Sequence, residues 1–508
     1  MTDDATQDET VDVLVVGAGP AGLALGGELG RAGVRALVLE REPEPPGYCR
    51  GFNLNARSLE LFDRRGLAAR FLTEGPTVPT TMFVGASRLD LTAMRAKHRY
   101  ILGIPQTRVE ELLAEWAVGS GARLVRGRRL TGLWQDGDGV TAEVEGPDGP
   151  STLRCRWLVG CDGGRSTVRK AAGIGFPGTP ARNFTLLGDV VLADPSAVPY
   201  GPNTGPDGRS VFAIPRPGYV RLLTADPAPP ADPHEPVSLD SFQRAIEAAL
   251  GHRAEIAEAR WLTRFGDAAR LAERFRAGRI LLAGDAAHIH PPAGAIGVNA
   301  AIDDAVNLGW KLALVARGQA ADTLLDTYHD ERHAAGTRLL RNTRAQAVLA
   351  QADGDDDRLA PVRELLAELA ESEATAGPVA EEITGVATRY PASGAPGHPW
   401  AGRMVPDLPL GPAGADGLTA LLARTPGGAL LLDGTPQAHP LSAAAHPWTD
   451  RVTTAHTHPQ ALHGAHAVLV RPDGHAAWIG TPSAPVEMAA QELRESLAHW
   501  FGPPAATA

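Results

Sequence analysis

The chain has 508 residues, 44% hydrophobic and 21% charged, with a formal net charge of −11. That length supports two or three domains with substantial cores, and the acidic balance argues against a nucleic-acid partner. Three cysteines, Cys49, Cys155 and Cys161, with no C-x-x-C, exclude a disulfide framework, and neither a secretory leader nor a run of about eighteen apolar residues is present, so a cytoplasmic protein without a membrane span is expected.

From Val11 the sequence reads strand, tight turn, helix, strand. Val11 to Val16 has the composition of a buried parallel strand, residues 21–32 carry Leu23, Leu25 and Leu29 on a helix of small residues, and Val34 to Leu39 forms the second strand. Gly17-Ala18-Gly19-Pro20-Ala21-Gly22 between them matches G-x-G-x-x-G, and Glu40 closes the second strand. Such glycines permit a tight turn and close backbone approach to a pyrophosphate, whose charge meets a helix N-terminus, while Glu40 can accept hydrogen bonds from a ribose. A glycine-rich turn without a ligand is the plain alternative; strand, helix and acidic residue together favour a dinucleotide.

Residues 75–100 are irregular, and a helix is expected from Arg108 to Val118, followed by a strand. GVTAEVEGPDGPSTLRCRWLVGCDG alternates apolar and polar residues around a turn, which predicts a hairpin leading into a strand. Asp162 stands at that strand's end, where ligands approach a parallel sheet, flanked by Arg165 and Arg169; an ordinary turn with solvated arginines is the plain reading. Residues 180–268, rich in Pro and Gly with short pieces such as SVFAIP and YVRLLT, predict a separate sheet-based domain. Tyr219 and Arg221 there are candidates to face a substrate, with core or surface placement the ordinary reading.

RILLAGD predicts another buried strand, ending on Gly284 and Asp285, and Ala300 to Arg317 a long helix. The stretch between holds His288 and His290, two apart but without a third ligand at metal spacing, so no metal is expected. What it offers instead is backbone N–H groups at a helix N-terminus beside Gly294, Gly297 and Asn299, which suit an anionic ring edge such as N1–C2=O of reduced flavin. Asp285 suits a ribityl hydroxyl. A single G-x-G-x-x-G with two later returns to the nucleotide fold fits FAD better than a nicotinamide dehydrogenase. Helices continue to about 372, SEATAGPVAEEITGVATRYPASGAPGHP reads as a poorly packed linker, and the last 110 or so residues read as a small α/β domain.

GAGPAG near the start, DGGRS after the middle strand and GDAAHIHPPAGAIGVN late in the chain, in this order, resemble the single-component FAD-dependent aromatic hydroxylases, the para-hydroxybenzoate hydroxylase group. The C-terminal stretch LVRPDGHAAW is similar to the thioredoxin-like appendage of the phenol and aromatic-polyketide hydroxylases, here without C-x-x-C and so expected to be structural or to support a homodimer. The resemblance implies an α/β chain: a discontinuous Rossmann-type FAD-binding domain (1–75, 101–180, 269–395), a β-sheet substrate domain (76–100, 181–268) and the thioredoxin-like domain (396–508). By the same resemblance Gly17, Gly19, Pro20, Ala21, Gly22, Glu40 and Arg41 hold the ADP half, Gly284 and Asp285 the ribityl chain, and Gly297, Val298 and Asn299 the isoalloxazine. Arg50 and Gln106 are implied to lie near the flavin, Asp162 to link FAD and NADPH, and the Pro292 carbonyl to touch substrate or flavin as the one candidate at the reacting centre. Where many polyketide-acting relatives read Gly-Gly-Gln-Gly, this chain has Gly294-Ala295-Ile296-Gly297.

The implied reaction is hydroxylation of a phenolic polycycle, an aromatic polyketide of natural-product biosynthesis, by O2 and NADPH or NADH through a flavin C4a-hydroperoxide. Baeyer–Villiger or ring-opening oxygenation on the same scaffold is the alternative. A non-catalytic flavin-binding partner is the second, kept open by Ile296 and the lack of an identifiable base. A flavin halogenase is disfavoured because W-x-W-x-I-P is absent.

Overall fold

The apolar run Val11–Val16 has no polar face to turn to water, and it forms the middle of the largest sheet. The computed structural model describes residues 11–83, 88–230, 232, 235–291, 296–350, 358–411 and 416–505. Five strands of that sheet run parallel in the order Ile280–Leu282, Gly149–Gly160, Val11–Val16, Ala36–Leu39 and Arg123–Val125. The hairpin of Val140–Gly146 with Gly149–Gly160, widened by Arg129–Gln135, extends it antiparallel.

Register decides what this sheet can build. Val16 pairs with Gly160, and Gly160 pairs with Leu282, so the three strands end level. Cys161 N–H donates to the Val16 carbonyl (2.7 Å) and Ala283 N–H to the Gly160 carbonyl (3.0 Å), carrying the alignment one step past the strands. Three loops distant in sequence therefore leave one edge together, the position at which open α/β sheets take ligands. Helices Pro20–Arg31 and Gly297–Ala316 pack beside this edge, the second buried along nearly its whole length.

A second sheet is antiparallel throughout, in the order Gly201–Thr204, Ser210–Arg216, Tyr219–Ala225, Phe184–Leu192 and Ile256–Gly266. The amphipathic helix Leu239–Leu250 seals one face through Phe242 and Ile246, against Leu186, Val190 and Leu222. Alternation sends Asp189, Arg221 and Trp261 to the other face, where they meet residues 48–52 of the large domain. Within residues 76–100, Thr77–Val78 pairs with Ile101–Gly103 and Thr80–Met82 with Arg88–Asp90.

The C-terminal sheet runs Ser393–Gly394, Ala476–Gly480, Ala467–Val470, Gly428–Leu432, Val452–His456. A parallel crossover from Gly428–Leu432 to Val452–His456, then an antiparallel hairpin and the helix Val486–Phe501, make the βαβ–ββα arrangement of a thioredoxin-like domain. Its Trp478, Trp500 and Phe501 merge into the hydrophobic core of the large domain.

The expected linker is corrected. Glu373–Ile383 is a helix whose buried Ala376, Ala380 and Ile383 recur on one face, Ala380 and Ile383 packing with Leu89, Leu91 and Met94. Gly377 and Pro378, which read as breakers, sit inside it, Gly377 where a Cβ would come within 2.7 Å of the Ala93 carbonyl. Tyr390, also in the expected linker, is 5% exposed. Among the described residues no helix is long and apolar enough to cross a membrane.

Candidate active site

The first loop is built for close approach. Gly17 has φ +107°, and a Cβ there would lie 2.4 Å from the Cys161 carbonyl, so the loop rests directly on the end of the neighbouring strand. A Cβ on Gly22 would lie 1.9 Å from the Gly17 carbonyl, which holds the helix start against the turn. Gly19 differs: a Cβ there meets nothing within 4 Å. Gly19 is the N-cap of Pro20–Arg31, with no side-chain cap and no acidic residue in the first turn. The amides of Ala21 and Gly22 thus open the helix without intrahelical partners beside open space, a ready anion site.

Glu40 secures this loop. Its Oε2 accepts the Ala18 N–H (2.8 Å) and its Oε1 the Glu42 N–H (3.0 Å), leaving each oxygen a further lone pair toward the loop. Arg41 stands outside the group, exposed and paired with Glu42 at 3.1 Å.

The third loop comes to the same edge. Gly284 takes φ +62°, and a Cβ there would meet Ala21 at 3.0 Å, so this turn packs on the start of the first helix. Its N–H donates to Asp304 Oδ2 (2.9 Å). Asp285 follows, exposed, and among the described residues no hydrogen bond engages its carboxylate. Arg50 lies within electrostatic reach of Asp285 and Glu110, and its Nη2 donates to the Tyr48 hydroxyl (3.2 Å). Gln106 opens the helix Gln106–Gly119, donates its N–H to the Gly51 carbonyl (2.8 Å) and its Nε2 to Glu110 (2.8 Å). Arg50, Gln106 and Asp285 are therefore brought together around residues 49–51.

The side chains of Asp162 and Asn299 have partners within the chain. Asp162 accepts Ser166 Oγ (2.5 Å) at Oδ1 and the amides of Thr167 (2.6 Å) and Val168 (3.1 Å) at Oδ2, capping the short helix Thr167–Ala171. Arg169, expected in solvent, is 4% exposed and joins this turn to the third loop, its Nη1 on the Ala286 carbonyl (2.8 Å). The Asn299 side chain is 3% exposed; its Oδ1 accepts the Asn55 N–H (2.9 Å) and Ser58 Oγ (2.7 Å). With Gly297 and Val298, Asn299 forms the first turn of Gly297–Ala316, whose N-cap Ile296 makes no side-chain cap hydrogen bond among the described residues and whose Ala300 N–H donates to the Ile296 carbonyl (2.9 Å). Pro292, Gly294 and Ala295 lie outside the described residues.

The histidines of the third loop part company. His288 is 1% exposed and its Nε2 meets Asp304 Oδ2 at 2.8 Å, whereas His290 Nδ1 meets the Pro291 carbonyl at 2.8 Å. Burial lowers the His290 pKa below its ordinary value, with the neighbouring His288 acting in the same direction. Among the described residues no group of three His, Cys, Asp or Glu side chains has the geometry for a metal ion. Asp304 ties the region together, since Arg332 Nε also donates to its Oδ1 (2.7 Å). Two adjacent acids, Asp303 and Asp304, in the largely apolar run from Ala300 to Ala316 are the feature of the sequence that marks this cluster.

Across from these loops, the face of the five-stranded sheet that meets residues 48–52 presents aromatic and cationic groups. Tyr48 stacks on Trp261 (4.6 Å, 13°), and the Arg216 guanidinium lies 3.3 Å from the Phe52 ring centroid. Arg221 is a structural cation, held by both Asp189 oxygens at 2.7 Å and by the Cys49 carbonyl. Tyr219 lies under Arg260 at 5.1 Å. A cavity of about 80 Å³ lies against the N-terminal half of the Gly297–Ala316 helix, lined by Asn299, Asp303, Arg57, Arg338 and Thr384. A drug-sized ligand needs roughly 300–1,000 Å³, so this cavity alone does not hold a polycycle.

Comparison with known proteins agrees with this geometry. Residues 10–343 match the family model of the FAD binding domain, and residues 398–504 match that of the aromatic-ring hydroxylase C-terminal domain. The 12-dehydrotetracycline 5-monooxygenase/anhydrotetracycline 6-monooxygenase of Streptomyces rimosus is 42% identical over 512 residues, covering 97% of this chain and 99% of the relative. A rifampicin monooxygenase of Streptomyces venezuelae is 43% identical, covering 98% and 99%. The solved structure of the anhydrotetracycline hydroxylase OxyS from Streptomyces rimosus superposes with a TM-score of 0.88 at 41% identity, covering 98% of this chain and all of that one.

Proposed function

The chain belongs to the FAD-dependent aromatic-ring hydroxylases, and from that premise we propose that it hydroxylates a phenolic polycycle, an aromatic polyketide, using O2 and NAD(P)H. The observation that carries this reading is the level ending of Val16, Gly160 and Leu282, which gathers three loops suited to one extended dinucleotide. Bound there, FAD supplies both acceptance of hydride from NAD(P)H and activation of O2.

The protein's own task is to hold and to aim. The amides of Ala21 and Gly22 take the pyrophosphate, and the outward lone pairs of Glu40 take the ribose. Asp285, whose carboxylate accepts no hydrogen bond from the described residues, takes a ribityl hydroxyl. Gly297 and Val298 present main-chain N–H groups to the pyrimidine edge, where they favour the anionic form. The face bearing Trp261 and Arg216 and the loop carrying Tyr48 and Phe52 form the wall against which an aromatic substrate is oriented and shielded from water. Arg216 Nε is buried and among the described residues has no hydrogen-bond partner, so a substrate oxygen there gains an unengaged donor.

A screen of phenolic polyketides that reads NAD(P)H consumption together with product mass tests this proposal. A product heavier by one oxygen, carried as a ring hydroxyl, supports it. A ring-inserted oxygen marks Baeyer–Villiger chemistry instead. Reductant consumption without any oxygenated product, across the whole screen, contradicts it.

A further inference from the structure

A chain of buried polar contacts runs from the C-terminal domain to the third loop of the cofactor site. Asp473 Oδ1 and His475 Nδ1 lie 3.1 Å apart, and His475 Nε2 lies 3.3 Å from Arg57 Nη1. Arg57 Nη2 donates to Asp303 Oδ1 (2.8 Å), whose Oδ2 accepts Arg332 Nη1 (2.6 Å). Arg332 Nε donates to Asp304 Oδ1 (2.7 Å), and Asp304 Oδ2 accepts the Gly284 N–H (2.9 Å). Every side chain in this series is buried.

The donors and acceptors fix the state of the imidazole. Arginine has no acceptor, so His475 Nε2 must be the bare nitrogen; the Asp473 carboxylate accepts, so Nδ1 must carry the hydrogen. Burial pushes the His475 pKa down to about 4, which keeps that neutral tautomer in place. A second buried contact joins the C-terminal domain to the helix Asp326–Ala350 that carries Arg332, Arg471 holding both oxygens of Glu331 (2.5 and 2.9 Å). Docking two domains does not require this. The apolar contact of Trp310 with Trp500 and Phe501 already joins them, and buried ions cost more desolvation than an apolar interface of equal size. What a connected set of charges adds over apolar contact is register.

We propose that His475 is a positioning residue of the cofactor site: the C-terminal domain, through His475 and Arg57, sets the Asp303–Arg332–Asp304 cluster that holds the Gly284–Asp285 turn. The inference rests on the flavin reading above for its purpose, though not for its geometry. A thioredoxin-like domain without redox cysteines then has a task, the completion of a site to which it contributes no ligand atom.

The test is amide hydrogen exchange on the full-length, FAD-free protein, with FAD affinity measured separately by quenching of flavin fluorescence. His475→Leu removes both hydrogen bonds, and His475→Gln retains a donor and an acceptor. The expected result is faster exchange over residues 282–290 in His475→Leu, affinity for FAD weakened about tenfold, and near wild-type behaviour in His475→Gln. Faster exchange confined to residues 471–475, with FAD affinity unchanged, describes a purely docking role and overturns the proposal. Should His475→Leu fail to fold, Arg57→Lys is read by the same criteria, since it keeps a cation toward Asp303 but cannot bridge to His475. Failure of the wild-type protein to bind FAD defeats the flavin reading and leaves the exchange result to decide the mechanical claim.

Discussion

Alanine at Gly22 and alanine at Gly19 are chemically the same change three residues apart, and the geometry predicts opposite consequences. At Gly22 the new methyl would lie 1.9 Å from the Gly17 carbonyl oxygen, both being backbone-anchored atoms that no rotamer change can separate. The helix start must move by roughly 1 Å, and overpacking of this kind costs about 1–3 kcal/mol whether or not a ligand is present. At Gly19 the backbone is extended (φ −79°, ψ −175°), a conformation any residue adopts, and the methyl meets no protein atom within 4 Å. Loss of a glycine N-cap there costs below about 1 kcal/mol. The same methyl, however, fills the space a pyrophosphate needs to reach the Ala21 and Gly22 amides. Weakening one or two charge-assisted hydrogen bonds at about 1.5–3 kcal/mol each lowers FAD affinity by about tenfold to a thousandfold. Differential scanning fluorimetry of the apoprotein and a fluorescence titration with FAD separate the two. Gly22→Ala should melt several degrees lower without FAD, and Gly19→Ala should melt as wild type but bind FAD weakly. Wild-type affinity in Gly19→Ala would refute the placement of the phosphates.

Asp285→Ala removes an exposed carboxylate that no described residue hydrogen-bonds, so the apoprotein should keep its stability while FAD washes out on gel filtration; a yellow variant contradicts the ribityl assignment. Arg221→Met leaves the buried Asp189 carboxylate without its cation and should destabilise the protein by about 3–5 kcal/mol, most of it recovered in the double variant with Asp189→Leu; denaturant titration of both checks this, and no recovery refutes the ion-pair account. Stability should also fall with acid through His475, which faces Asp473, Arg57, Arg471 and the Tyr390 ring. The unfolded chain takes up a proton near pH 6.5 that the folded state refuses until about 4, so stability present above 6.5 is lost as pH falls toward 4, at up to about 1.4 kcal/mol per pH unit. His475→Gln removes this contribution, and a stability difference from wild type that stays constant over that range contradicts it.

The parts of the site legible in sequence are those whose cause is local. Strand period, a glycine-rich turn and a terminal acid all fall within residues 11–40, and the turn requires them whatever surrounds it. The side-chain partners of Asp162 and Asn299 were not legible, because each is set by a nearby amide, Thr167 in one case and Asn55 in the other. The Arg57–Asp303 pair joins positions 246 apart and the Arg57–His475 contact positions 418 apart, and pairing at such range leaves no periodic trace. The helix Glu373–Ile383 was misread for a related reason. Its Gly377 and Pro378 break isolated helices, and the packing of Ala380 and Ile383 on Leu89 and Leu91 outweighs them.

The central claim is that this chain transfers one atom of molecular oxygen to an aromatic ring. Turnover of a responsive phenolic polyketide under oxygen-18 gas in ordinary water, with NAD(P)H and FAD present, measures it directly by product mass. One heavy oxygen per product, with one reductant consumed for each, is the predicted result. A product whose new oxygen is light, or a transformation that proceeds unchanged under nitrogen, would contradict the account.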